Sequence, residues 1–196
     1  MNTMANAFLR SCLPTIAAAA LLMGAAPFAL AQKVKLDTSM GEIVIELDAA
    51  KAPKSVDNFV KYVDSGHYSG TVFHRVIDTF MIQGGGFTKD YVQKPTRAPI
   101  KNESTNGLAN DAYTIAMART NVRDSATSQF FINSGNNTML NYAGEGNPGY
   151  AVFGKVVEGR DVVDKIRKVA VKRTSVSEGQ PDVPVVIEKA ECVAAN

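Results

Sequence analysis

The sequence predicts a mainly β domain, either an antiparallel sandwich or a closed barrel. Short runs of alternating or β-branched residues follow one another closely, and turns rich in Gly, Asn and Asp separate most of them. Only two stretches have the periodicity of amphipathic helices. Many short strands with few helices are typical of sandwiches and barrels, and hydrophobic periodicity alone does not distinguish the two.

The first elements are a hairpin and a helix. Apolar and polar residues alternate over 33–47 on both sides of a Ser39-Met40-Gly41 turn, which predicts two antiparallel strands. Pro53 suits the first turn of the helix that follows, and Gly66 suits its end. The core-facing residues of this helix have i, i+3, i+4, i+7 spacing and are Val56, Phe59, Val60 and Val63.

The rest of the chain is predominantly strand-like. A second helix is predicted at 160–168, with Val162, Val163 and Ile166 facing inward. The segment 141–149 contains three glycines and a proline and is predicted to be a surface loop, a common place for a binding-site rim. The remaining strands are predicted at 72–77, 80–83, 113–118, 129–133, 151–157 and 183–193.

The first 31 residues have the pattern of a secretory signal peptide. Arg10 is the only charged residue there, an Ala- and Leu-rich run follows, and Ala29-Leu30-Ala31 forms a small-x-small exit. A retained membrane anchor is the alternative, but Pro14 and Pro27 interrupt the stretch. We therefore expect cleavage before Gln32, no stable membrane anchor, and a single exported mature domain over 32–196.

Composition excludes several classes of function. Removing Arg10 from the 21 basic residues leaves 20 against 19 acidic ones, which argues against nucleic acid as a partner. Cys12 leaves with the signal, so Cys192 has no partner for an intramolecular disulfide, and we expect it to be buried as a small hydrophobic residue. One cysteine and two histidines support no metal site, and no cofactor motif is present.

Nucleophilic catalysis is poorly supported. The chain has no G-x-S-x-G, GK[ST] or H-E-x-x-H motif, and Gly84-Gly85-Gly86 is better explained by a tight turn or a bulge than by a nucleotide. His74 could serve as the base of a secreted hydrolase, but it alternates with Phe73 and Arg75 in a strand and is more simply a structural histidine.

Two segments combine polar and aromatic residues in a way that predicts a binding groove. If 73–85 and 128–133 lie side by side, Arg75, Gln83 and Gln129 form a polar edge beside an apolar floor. The floor would consist of Phe80, Met81 and Phe131. The alternative is an amphipathic strand pair with Arg75 in solvent.

The segments FHRVIDTFMIQGGGF, TIAMAR, SQFFIN and YAVFGKV closely resemble the cyclophilin family, in particular the periplasmic cyclophilins of Gram-negative bacteria. The match extends through nearly all of 33–193. The resemblance implies a closed eight-stranded antiparallel barrel with a helix covering each end. It also implies peptidyl-prolyl cis/trans isomerase activity on proline-containing exported polypeptides.

The resemblance assigns roles residue by residue. It places the catalytic arginine at Arg75 and the backbone-holding glutamine at Gln83. Ala118 and Gln129 match positions that line the groove for the residue before proline. The proline-pocket residues match Phe80, Met81, Phe131 and Leu140.

Five residues depart from the family pattern. Tyr150 replaces a pocket-rim histidine, and Arg119 replaces an asparagine whose main chain pairs with substrate. Met139 stands where many relatives have tryptophan, so we expect weak cyclosporin binding. Asp78-Thr79 replaces Pro-Gly in the turn before the pocket phenylalanine. We expect a monomer, and the rival function is a proline-binding chaperone module without turnover.

Overall fold

The computed structural model describes residues 32–193 as a closed antiparallel barrel, so the predicted signal peptide and its cleavage site lie outside the described residues. The strands are β1 (Lys33–Thr38), β2 (Gly41–Leu47), β3 (Thr71–Ile77), β4 (Met81–Thr88), β5 (Thr114–Met117), β6 (Phe130–Asn133), β7 (Val152–Glu158), β8 (Val171–Lys172), β9 (Gln180–Pro181) and β10 (Val185–Val193). The strand order around the barrel is β1-β10-β3-β4-β6-β5-β7-β2, and β8 and β9 form a separate two-stranded sheet. Closure decides between the two architectures that periodicity left open.

The hairpin and both helices occur where the sequence predicts them. β1 and β2 pair in an uninterrupted register that ends at Thr38 and Gly41. Helix α1 (Pro53–Asp64) begins at its proline, and helix α2 (Arg160–Arg167) buries the three predicted apolar residues. Both helices pack their apolar side chains into the same core as the barrel interior.

The three glycines at 84–86 lie inside β4 and accommodate a bulge. The register between β3 and β4 pairs Phe73 with Gly84 and Thr71 with Thr88, so β4 contains extra residues opposite β3. β4 extends beyond the predicted 80–83. The prediction ended too early because glycine has a low strand propensity, although closure of the barrel pairs this segment with its neighbours.

Alternation along the strands produces two apolar clusters on opposite faces of the barrel wall. The interior cluster includes Phe130 and Ile132, whereas Phe131, between them on β6, belongs to a separate cluster with Met81. All four residues of β6 are buried, so its outer face is covered as well.

The expectation that Cys192 is buried is wrong. Its side chain is exposed near the end of β10, and its Sγ lies 3.8 Å from the Oδ1 atom of Asp64. The strand ends beside a carboxylate rather than under apolar side chains. Partial desolvation, followed by the charge of Asp64, raises the pKa of the thiol.

No helix within residues 32–193 combines the length and apolar character needed to cross a bilayer.

Candidate active site

An apolar floor lies on the outer face of the barrel, where β4, β5, β6 and β7 run side by side. The register pairs Gln83 with Phe131, and Phe131 with Ala116, so side chains that alternate with the interior meet outside. The buried members of the floor are Met81, Ala116, Phe131 and Val152. Partly buried side chains that pack against them are Ile77, Phe80, Leu108, Ala118, Leu140 and Tyr150.

Arg75 on β3 borders this floor. Its guanidinium carbon lies 5.8 Å from the centroid of the Phe80 ring, and its Nη1 lies 3.9 Å from the sulfur of Met81. The side chain is 30% exposed, so the charge is neither buried in the core nor free in solvent. The strand pairing that sets Arg75 opposite Gln83 fixes its place at the edge of the floor.

The two glutamines of the predicted polar edge meet directly. Nε2 of Gln83 donates to Oε1 of Gln129 at 2.8 Å, and the main-chain N–H of Ala118 donates to the carbonyl of Gln129. A Cβ at Gly86 would lie 2.5 Å from the Gln129 side chain. The glycine therefore provides the space in which Gln129 lies across β4. The segments 73–85 and 128–133 lie side by side, because β4 pairs with β6.

Tyr150 and Arg119 form one side of the rim. The rings of Phe131 and Tyr150 contact edge-to-face at 5.7 Å, and the Arg119 guanidinium stacks on Tyr150 at 4.4 Å. Nε of Arg119 also donates to the carbonyl of Gly149 at 2.9 Å. The long side chain thus lies against the rim residue that replaces histidine.

Leu140 and Met139 occupy a short 3-10 helix, Thr138–Leu140, above the floor. Leu140 packs against the outer cluster, as expected for a pocket residue. Met139 is 65% exposed and lies outside that cluster, although it is adjacent in sequence.

A buried asparagine network beneath the pocket was missed by sequence reasoning. Asn137 donates to the carbonyl of Phe80 and to Oδ1 of Asn133, both at 2.7 Å. Asn110 donates to the carbonyls of Leu140 and Tyr150 at 3.1 and 3.3 Å. The network therefore ties the main chains of three rim and floor residues together. Asn110 and Asn133 stand next to apolar residues, which is a sequence signal for such a network, but sequence spacing does not identify their partners.

The turn that carries Asp78-Thr79 is held by charge instead of by Pro-Gly. The two carboxylate oxygens of Asp78 accept from Arg167 and Lys168, each at 2.8 Å, at the end of α2. The hydrogen bond from Lys168 is the largest of the effects that lower the pKa of Asp78. This pair of contacts holds the turn that leads into Phe80 in the absence of the Pro-Gly pair.

Neither histidine is placed to act as a general base near neutral pH. His74 is buried against the ring of Phe87, and burial, followed by the charge of Arg75, lowers its pKa to about 4. Desolvation also lowers the pKa of His67, whose Nε2 lies 3.2 Å from the carbonyl of Gly85. The interpretation of His74 as a structural residue agrees with its burial.

The arrangement suits binding and polarising an uncharged peptide group better than proton transfer. It offers an apolar floor, a charged donor at one edge and amide groups at another. A cavity of about 630 Å³ lies against β2 and β7 and shares Leu108 and Val152 with the floor, but none of the predicted site residues lines it. The chemistry therefore favours the groove at Arg75 over this cavity.

Comparison with known proteins agrees with the geometry. The model of the family described as cyclophilin type peptidyl-prolyl cis-trans isomerase/CLD matches residues 33–192. The chain is 60% identical over 163 residues to peptidyl-prolyl cis-trans isomerase cyp18 of Streptomyces antibioticus, covering 81% of this chain and 96% of that protein. It is 51% identical over 157 residues to peptidyl-prolyl cis-trans isomerase B of Escherichia coli (strain K12), covering 79% and 96% respectively.

A solved structure supports the fold. The crystal structure of a cyclophilin type peptidyl-prolyl cis-trans isomerase of Cryptosporidium parvum, obtained in the presence of the dipeptide Ala-Pro, matches with a TM-score of 0.69. The two chains are 24% identical, and the match covers 83% of this chain and 99% of the other.

Proposed function

Given that this chain belongs to the cyclophilin family and is a peptidyl-prolyl cis/trans isomerase, we propose that the groove around Arg75 is its active site. The observation that supports the proposal is a guanidinium at the edge of a buried apolar floor, with Nη1 next to the sulfur of Met81 and the guanidinium carbon near the Phe80 ring. The floor receives the proline ring, and Arg75 acts on the bond that precedes it.

The reaction explains why these groups suffice. Rotation about an X-Pro bond breaks no covalent link, so it requires neither a nucleophile nor a metal. The barrier is amide resonance, about 20 kcal/mol, with uncatalysed times of roughly 10 to 100 s. At the twisted midpoint the proline nitrogen regains its lone pair and can accept a hydrogen bond. A donor aimed at this atom stabilises the transition state more than either planar form.

Arginine suits this role because it stays protonated at all relevant pH values and carries five donors in a rigid fork. We assign the other groups to binding. Phe80, Met81, Phe131 and Leu140 hold the proline ring and exclude water that would favour the polarised planar amide. Gln83 and Gln129, hydrogen-bonded to each other, face the substrate main chain together with Ala118 and the main chain of Arg119. Tyr150 and Met139 complete the rim.

The test is kcat/KM for peptide isomerisation, measured in a protease-coupled assay. Arg75→Ala should lower it about 10²-fold, because a charge-assisted donor made mainly at the transition state is lost. Arg75→Lys should recover only part of the loss, since lysine retains the charge and loses the fork. Near-wild-type turnover by a folded Arg75→Ala protein would contradict the assignment.

We further propose that the substrates are polypeptides exported to the periplasm and that the mature protein is a monomer. The signal-peptide pattern of residues 1–31 supports export. A closed barrel pairs each of its strands on both sides, which leaves no barrel edge for a second copy to extend. Intact-mass analysis of the exported protein should give a chain that begins at Gln32, and sedimentation should give one copy. A membrane-retained chain with residues 1–31, or a stable dimer, would overturn the respective proposal.

A further inference from the structure

Arg75 has a charged partner that lies far from it in sequence. Oε1 of Glu178 accepts from Nη2 of Arg75 at 2.6 Å and from Nε at 3.2 Å. The two side chains are 30% and 47% exposed. An ion pair this exposed contributes little to folding stability, so stability does not account for the contact.

The contact divides the guanidinium into two edges. Glu178 takes the edge formed by Nε and Nη2, whereas Nη1 lies against the sulfur of Met81 and the group lies near the Phe80 ring. A guanidinium is planar and its donors have fixed directions. Holding one edge therefore sets the direction in which the other edge donates, toward the floor that receives proline.

The loop that carries Glu178 is itself held in place. The main-chain N–H groups of Val176 and Ser177 donate to Oγ1 of Thr174, which fixes the turn that precedes Glu178. The carbonyl of Gly179 accepts from the N–H of Val76 at 2.8 Å, one residue beyond Arg75 on β3. A Cβ on Gly179 would collide with the Val76 carbonyl, so glycine permits this close approach. The carboxylate is thus anchored to the strand that carries its partner.

We propose that Glu178 is a positioning residue that orients Arg75 for isomerisation, an inference that rests on the proposed catalytic role of Arg75. Glu178 does not act on the peptide itself. It reduces the rotamer freedom of a long side chain, so that the donor is already aimed when the bond twists. Because one oxygen makes both contacts, the amide oxygen of a glutamine can replace it.

The first test separates kcat from KM. Glu178→Ala should lower kcat about tenfold and leave KM within about twofold, because a misdirected donor weakens transition-state binding more than substrate binding. Glu178→Gln should stay within about twofold of the wild type, since its oxygen accepts the same two hydrogen bonds. The matched control is Asp57→Ala, which removes a carboxylate paired at the same 2.6 Å with Lys61 on the surface of α1. The control should leave kcat unchanged.

A double-mutant cycle then tests whether Glu178 acts through Arg75. In an Arg75→Ala background, Glu178→Ala should change kcat by less than about twofold, because the group that it orients is gone. A normal kcat for Glu178→Ala beside an impaired Arg75→Ala protein would overturn this inference and leave the proposed active site standing. Additive losses, or a Glu178→Gln protein as slow as Glu178→Ala, would also overturn it. Normal turnover by Arg75→Ala would instead refute the proposed function.

Discussion

The interior of the barrel and the floor on its outer face are built from neighbouring residues of the same strands, yet the two regions have different roles. Phe130 is fully buried among aromatic rings and makes edge-to-face contacts with Phe59, Phe73 and Tyr68. Phe131, the next residue, is 4% exposed and has Tyr150 at its open side. The interior is closed by strands and helices, whereas the outer floor is bordered by loops and polar side chains.

A single strand can thus separate the residues that stabilise the fold from those that form a binding surface. Alternation places successive side chains on opposite faces, so one face can be packed for stability while the other is left incomplete for a ligand. Buried amides also support the outer floor, since Asn137 and Asn110 hold the carbonyls of Phe80, Leu140 and Tyr150.

Truncation inside the barrel should have the largest effect on stability. Phe130→Ala removes a fully buried ring and should cost about 4 kcal/mol of the free energy of unfolding. The fraction that remains folded should retain its kcat/KM per folded molecule, because the pocket lies on the other face. Urea unfolding followed by the peptide assay measures both. A stable Phe130→Ala protein with impaired turnover would contradict the assignment of the interior face to stability and of the outer face to substrate binding.

Phe131→Ala is the matched variant on the outer face. It should cost about 3 kcal/mol of stability, because the ring is largely buried. Unlike Phe130→Ala, it should also lower kcat/KM about tenfold in the folded protein, since the proline ring loses part of its floor. Equal specific activities for the two variants would contradict the prediction that only the outer face contributes to turnover.

His74 gives a pH-dependent test of the same division. Its pKa falls from 6.5 to about 4 on folding, so the unfolded chain binds more protons between these values. Stability should therefore rise between pH 4 and 6.5, by up to about 3 kcal/mol from this group, and then level off. His74→Gln should remove that rise.

Across pH 6 to 8, kcat/KM should stay nearly flat, and a bell-shaped profile would indicate an acid–base pair in the groove.

Met139 provides the smallest expected effect. It is 65% exposed on the rim and offers a flexible thioether where an indole would add a donor and a broad face. Met139→Trp should tighten cyclosporin binding about tenfold, or about 1.4 kcal/mol, and leave peptide turnover unchanged. The chain has no native tryptophan, so the new indole also reports binding by fluorescence. Tight binding by the unmodified protein would contradict this account.

The sequence predicts the strongly periodic elements well and the polar supports poorly. Hydrophobic spacing locates α1, α2 and the first hairpin, because each buries one regular face. Periodicity does not reveal that β4 continues through Gly84 to Thr88, since that segment is held by barrel closure rather than by side-chain pattern. β8 and β9, with two residues each, are too short to produce a pattern.

The residues of the site divide in the same way. Arg75, Gln83, Gln129 and Phe131 follow from two short segments and a family resemblance. The partner of Arg75 could not be predicted in this way. Glu178 lies 103 residues away, in a loop whose position depends on a main-chain contact with β3. Asp78 is comparable: its role in the turn becomes evident only once the end of α2 supplies Arg167 and Lys168.

Exchange spectroscopy of a proline peptide distinguishes an action of Arg75 on the twisting bond from an action on substrate binding. The measurement is the rate of cis/trans exchange of the bound peptide, with resonances of Met81 and Phe131 reporting occupancy. We expect Arg75→Ala to keep the peptide-induced shifts of these resonances, while the exchange rate falls about 10²-fold. Exchange at the wild-type rate in that variant would contradict the account, and so would a loss of binding large enough to explain the slower turnover.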